Sequence, residues 1–173
     1  MRHAVYGIVS TSEQASVVVG RLREAGFTRD DISVLLPDKK GTRDFAHEKN
    51  TKAPEGAAAG GVAGMGIGAV LGWLAGVGSL AIPGAGPLIA AGPIMAALSG
   101  AAVGGATGGL VGALVGLGVP EYEAKRYDGK IRGGNALVSV HTESGREQRR
   151  AKKILEKAGA ADISSSTESS VTA

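Results

Sequence analysis

Gly56-Ala-Ala-Ala-Gly60-Gly-Val-Ala-Gly64-Met-Gly-Ile-Gly68-Ala-Val-Leu-Gly72-Trp-Leu-Ala-Gly76 opens an uncharged block that reaches Val119, and the block closes on the same beat, with Gly100, Gly104, Gly108, Gly112 and Gly116. All 19 Lys and Arg, all 16 Asp and Glu and all 3 His lie outside it. A glycine at every fourth helical position clears one row of side chains, so another helix backbone can come close, as in the small-xxx-small interfaces of membrane helices. Pro54 suits a first helical turn, Ile82-Pro-Gly-Ala-Gly-Pro87 breaks the pattern, and Pro93 suits a second start. The block predicts a glycine-rich apolar helical hairpin over 54–119, with one helix to about Leu80 and another from Pro93 to about Leu117. Each would hold about 25 residues and span about 37 Å, enough for a hydrocarbon core of about 30 Å.

Two environments suit such a hairpin. In water each glycine costs about 1 kcal/mol relative to alanine, so an isolated hairpin frays. In lipid, a helix is the way one segment satisfies all its backbone groups. A spanning hairpin returns both flanks to one side. Lys39, Lys40, Arg43, Lys49 and Lys52 before it, and Lys125, Arg126, Lys130 and Arg132 after it, place that side in the cytoplasm. The alternative is a cytoplasmic oligomer with a shared apolar hairpin core. Either way, an i+4 row from Gly56 to Gly76 winds through about 200°, more than one partner helix covers, so a homo-oligomer is expected.

The flanks are soluble and repeat one order. His3–Val9 reads as a strand; Thr11 and Gln14 frame a helix whose apolar face is Ala15, Val18, Val19, Leu22 and Ala25; Gly26 suits its end, and Ile32–Leu36 is a second strand ended by Pro37. In the other flank, Ala136–Val140 is a strand, Ser144 with Glu147 can cap a helix with Ala151, Ile154, Leu155 and Ala158 inside, and Gly159 precedes Asp162-Ile-Ser164. Glu24-Ala-Gly26 with Asp31-Ile-Ser33 echoes Lys157-Ala-Gly159 with Asp162-Ile-Ser164. The expected fold class is α+β: a ferredoxin-like βαβ-βαβ domain, four strands with two helices on one face, split by the hairpin. Its halves are 1–37 and 134–165, with a charged linker at 38–53, a short charged helix at 120–133 and a disordered tail at 166–173.

Chemistry has no visible carrier in this chain. The absence of cysteine excludes disulfides and thiol catalysis. His3, His47 and His141 have no carboxylate at ligand spacing, Ser10 and Ser12 lack a nucleophile setting, and Gly64-Met-Gly-Ile-Gly68 lacks the strand-and-helix context of a dinucleotide loop. No catalytic residue, metal, cofactor or small-molecule substrate is assigned, and a net charge of +3 is too small to argue for nucleic acid. Arg146, Arg149, Arg150, Lys153 and Lys157 fall within about 100° of one helical face, opposite the apolar one. Such a face can contact anionic lipid headgroups, or be an ordinary solvated face interrupted by Glu147 and Glu156.

Gly118-Val-Pro-Glu-Tyr-Glu-Ala-Lys-Arg-Tyr-Asp-Gly-Lys130, then Gly133-Gly134 and Ala136-Leu-Val-Ser-Val-His141, resembles the signature stretch of bacterial general stress proteins of the heat-induced type. Val5-Tyr-Gly-Ile-Val9 and Ala25-Gly-Phe27 are similar to that family too. The resemblance implies a stress-linked bacterial protein and supplies no catalytic residue. A ferredoxin-like domain on an apolar hairpin is also similar in architecture to a small membrane subunit of quinol-oxidising complexes, without haem or iron-sulfur ligands here. The expectation is a structural or interaction protein, not an enzyme: a homo-oligomer joined by its hairpins, with membrane lipid as a partner. A pore or accessory subunit of a membrane complex is the rival.

Overall fold

Strand β1 (His3–Val9) sends Val5 and Val9 into one apolar cluster and Ala4, Tyr6 and Ile8 into another, all of them buried. Strand β5 (Ala136–Thr142) does the same with Ala136, Val138 and Val140 against Leu137. Strands apolar on both faces belong inside a sheet covered on both sides. The computed structural model, which describes residues 2–37, 67–74, 78–82, 86–94 and 109–167, has that arrangement. β1 and β5 pair antiparallel from His3 opposite Thr142 to Val9 opposite Ala136. Around this centre lie β2 (Ile32–Pro37), β3 (Gly78–Ile82), β4 (Gly86–Ala91) and β6 (Ala161–Thr167), in the order β3-β4-β2-β5-β1-β6 of a six-stranded sheet. Every pairing is antiparallel, and the fold is mixed α/β.

One face is covered by α1 (Ser12–Glu24) and α5 (Gly145–Lys157), which start and stop by the same chemistry. Thr11 Oγ1 accepts from Gln14 N at 3.0 Å while Gln14 Oε1 accepts from Ser10 N at 2.9 Å; Ser144 Oγ accepts from Glu147 N at 3.2 Å while Glu147 Oε2 accepts from Glu143 N at 2.8 Å. Each reciprocal cap satisfies one N–H that the first turn leaves orphaned and the N–H of the residue before the cap. Gly26 and Gly159 follow the helices at φ +96° and +81°, the left-handed conformation that ends a helix at little cost to glycine. Each helix also closes the other's last carbonyls. Gln14 Nε2 donates to Ala158 O at 2.9 Å, Arg21 to Lys157 O at 3.3 Å, and Arg150 to Ala25 O at 3.3 Å. A short helix, α2 (Ile67–Trp73), lies beside α1 with Val70, Leu71 and Leu74 in the same core.

The opposite face is covered by α3 (Gly109–Gly116) and α4 (Glu121–Arg132), whose Leu110, Ala113, Leu114, Ala124, Tyr127 and Ile131 close over Ala4, Tyr6, Ile8 and Leu137. The sheet is therefore the middle of three layers, where the sequence predicts helices on one face.

The uncharged block departs from the expected hairpin. Residues 78–80, expected at the end of the first helix, belong with 81–82 to strand β3, and residues 86–91, expected between the helices, are β4, paired with β2 from Val34 opposite Ala91 to Pro37 opposite Leu88. The reason is the alternation of Leu88 and Ala90 into one cluster with Ile89 and Ala91 into the other, a period of two that only a sheet buried on both faces rewards. Among the described residues no helix is long and apolar enough to cross a membrane. Residues 38–66 and 95–108 of the expected linker and helices lie outside the described residues. At the other end, Ser166 and Thr167, expected in the tail, belong to β6.

Gly92 fastens this segment to the sheet. At φ +89°, it lies so close to β2 that an added Cβ would stand 2.1 Å from Ile32 O. Two residues on, Ile94 N donates to the buried Ser33 Oγ at 3.1 Å. Gly92→Ala is expected to destabilise the whole domain by about 3 kcal/mol through steric and left-handed strain. Gly129→Ala, where a methyl meets open space in α4, should stabilise it by about 1 kcal/mol. Thermal unfolding followed by circular dichroism measures both, and an unmoved midpoint in Gly92→Ala would show that residues 86–94 do not dock on β2.

Candidate functional site

Three surfaces present side chains with something to do, and the first is the glycine row. On α3, Leu110, Ala113 and Leu114 turn inward, which leaves Val115 41% exposed and Gly116 exposed, with no atom of the described residues, its own helix backbone and chain neighbours aside, within 4 Å of an added Cβ. Gly112 is half-buried. On α2, Gly72 is exposed between buried Leu71 and Leu74, and Gly68 falls on the same helix. Gly56, Gly60, Gly64, Gly76, Gly100, Gly104 and Gly108 lie outside the described residues. Gly72 and Gly116 thus face outward, away from the helices' buried rows.

The second is a polar cluster where α4 meets β6. Ala124, Tyr127 and Ile131 recur at i, i+3 and i+7, so Tyr127 is carried fully into the core, its ring 6.2 Å from that of Tyr6. Its hydroxyl donates to Asp162 O at 2.8 Å and, with that proton committed, accepts from Ser164 Oγ. Burial pushes the phenol up to about 12, against the opposing pull of the Ser164 hydrogen bond. A phenol so held supplies no base near neutral pH. Arg126 stands 4.7 Å over the Tyr122 ring, donates to the Tyr122 hydroxyl at 2.7 Å, and pairs with Asp162 at 3.4 Å, while Lys130 reaches Asp162 at 3.9 Å. Asp162 takes φ +50°, beside an irregularity in the pairing of β6 with β1. Glu123 Oε2, 3.6 Å from Arg126, and Ser166 Oγ are buried without a hydrogen-bond partner among the described residues. Among the described residues no group of His, Cys, Asp and Glu is placed to hold a metal ion. The cluster clamps a helix to an edge strand.

The third is the outer face of α5. Arg146, Arg149, Arg150, Lys153 and Lys157 are all exposed there, and Lys152 adds to them. Ala151 and Leu155 take the inward face, so amphipathic spacing alone turns the cations to solvent. Arg146, Arg149 and Arg150 line a shallow open depression with Ser144, Gly145 and Glu147. Of the histidines, His3 and His141 sit on the central strands, and His47 lies outside the described residues.

The sequence shows the basic face and misses the cluster. The face is one helix read at its own period. The cluster joins Tyr127 to Asp162 and Ser164, on a strand whose register no local pattern announces; the visible signal was Ala124, Tyr127 and Ile131 on one side of an otherwise charged helix.

Tyr127→Phe should cost about 1–2 kcal/mol, the value of hydrogen bonds lost with Asp162 and Ser164 left behind. Between pH 10 and about 12 the folded chain keeps a phenolic proton that the unfolded chain releases. Stability present below pH 10 is therefore lost as the pH rises through that window. Unfolding midpoints measured across it should fall less steeply in Tyr127→Phe than in the unaltered chain; equal slopes would remove Tyr127 as the group responsible.

Compared with known proteins, the chain matches no protein-family model, no curated protein and no solved structure.

Proposed function

We propose that the chain is a stress-associated structural or interaction protein, with no catalytic role, that assembles with copies of itself through its glycine rows. The observation that carries this reading is the outward face of α3, where Gly116 opens a space beside exposed Val115 in a helix without a charged residue. Such a face costs free energy in water and is relieved by a like helix lying in the groove. A second copy of the same row is complementary by symmetry, which makes a homo-oligomer the economical partner. β1-α1-β2 and β5-α5-β6 are read as the two halves of one ferredoxin-like unit, supported by the order β2-β5-β1-β6 and by the matched capping of α1 and α5. The stress association rests on the resemblance over Gly118–His141, and protein abundance before and after heat shock tests it.

A second reading keeps the rest of the glycine block, apart from α2, β3, β4 and α3, in the cytoplasmic membrane, with the sheet domain facing the cytoplasm, as an oligomer or as a pore or accessory subunit. It is favoured by the unbroken run without ionisable residues from Gly56 to Val119. Carbonate extraction separates the two: an embedded block stays in the pellet, a soluble assembly does not.

Native mass measurement of the full chain tests the assembly. Leucine at position 116 meets open space in the protomer, so Gly116→Leu should fold as before yet lower the oligomer mass by filling the groove. Gly129→Ala should leave the mass unchanged. An unaltered oligomer in Gly116→Leu would defeat the proposal.

A further inference from the structure

Two charged helices of this chain treat their cations differently. On α4, Lys125 pairs with Glu121 at 2.9 Å, Arg132 with Asp128 at 3.0 Å, and Arg126 and Lys130 with Asp162 at 3.4 and 3.9 Å. On α5, none of Arg146, Arg149, Arg150, Lys152, Lys153 and Lys157 forms an ion pair among the described residues. The acid that should interrupt this face is occupied elsewhere: Glu147 Oε2 accepts from Glu143 N at 2.8 Å, folded back over the start of the helix. That leaves Glu156 as the acid on α5 whose carboxylate has no partner among the described residues. An ordinary solvated face would be expected to intersperse its charges as α4 does.

The neighbours of α5 point to a partner. In the same layer stand α1, which exposes Arg21 and Arg23, and α2, where Arg23 lies 5.1 Å over the half-buried Trp73. The cations thus share a layer with an indole and with part of the uncharged block. Single-stranded nucleic acid would want exposed aromatic rings for base stacking. The ring of Trp73 is covered by Arg23, and Tyr122, 71% exposed, belongs to α4 on the other side of the sheet.

We propose that the α5–α1 layer is a docking surface for a bilayer rich in anionic phospholipid, the headgroups meeting Arg146, Arg149 and Lys153, with Trp73 at the border of the patch. The attraction acts within about a Debye length and weakens with salt. This docking is peripheral and stands on the cations of α5, independently of the glycine rows.

Co-sedimentation of the full chain with vesicles tests it, using equal parts phosphatidylglycerol and phosphatidylcholine against phosphatidylcholine alone. Binding is expected to the anionic vesicles only, and to be lost at about 0.5 M NaCl. Replacing Arg146, Arg149 and Lys153 together by Gln should lower partitioning on the order of 100-fold, at about fivefold per cation. Replacing Lys125, Lys130 and Arg132 on α4 by Gln removes the same charge and should change it little. Circular dichroism confirms that both triple variants fold, and their native masses report self-assembly separately from docking. Equal binding to neutral vesicles, retention at high salt, equal losses in the two triple variants, or a preference for RNA or duplex DNA over the anionic vesicles would each overturn the proposal.

Discussion

Everything else in this fold answers to a sheet that is apolar on both faces. Val5, Val9, Val138 and Val140 on one side, and Ala4, Tyr6, Ile8 and Leu137 on the other, are all withdrawn from water. At about 25 cal/mol per Å² of apolar surface, either face left open would outweigh most local preferences of the chain. The two βαβ halves cover one face. The second must be covered by whatever lies between them, and α3 and α4 do so with six inward residues, from Leu110 to Ile131. The glycine-rich block therefore contributes to the domain's own core, in addition to any partner it meets.

Local chemistry was legible where it acts within one turn. Thr11 with Gln14, Ser144 with Glu147, and the glycines at 26 and 159 are read from the sequence and act as read, because caps depend on residues three or four apart. The cations of α5 were legible for the same reason. Leu88-Ile-Ala-Ala91 was not: a four-residue apolar run between glycines fits a helix or a strand equally, and pairing with β2 decides it. Glu147 carried two readings, and the cap prevails. Counted as an interruption of the basic face, it bends back to Glu143 N, and its carboxylate serves the backbone.

The paired helices show how the halves are joined beyond their strands. Arg150 closes the end of α1, while Gln14 and Arg21 close the end of α5. Cations at helix C-termini meet the negative end of the dipole, so each of these arginines contributes charge complementarity as well as a hydrogen bond. Arg150 thereby belongs to two descriptions at once: its stem and donor hold α1, and its position extends the basic face. Charge on this surface is built into the way the two halves fit, which distinguishes it from the ion-paired exterior of α4.

The pairing of β1 with β5 also orders events in time. His3 lies opposite Thr142, so β1 is completed by a strand made much later. On a ribosome the first βαβ segment waits for β5, with Tyr6 and Ile8 uncovered until α3 and α4 have followed. Contacts of such long sequence separation fold slowly, and apolar surface exposed meanwhile is open to capture. The nascent chain thus exposes to capture, in that interval, the apolar surface that the finished fold buries.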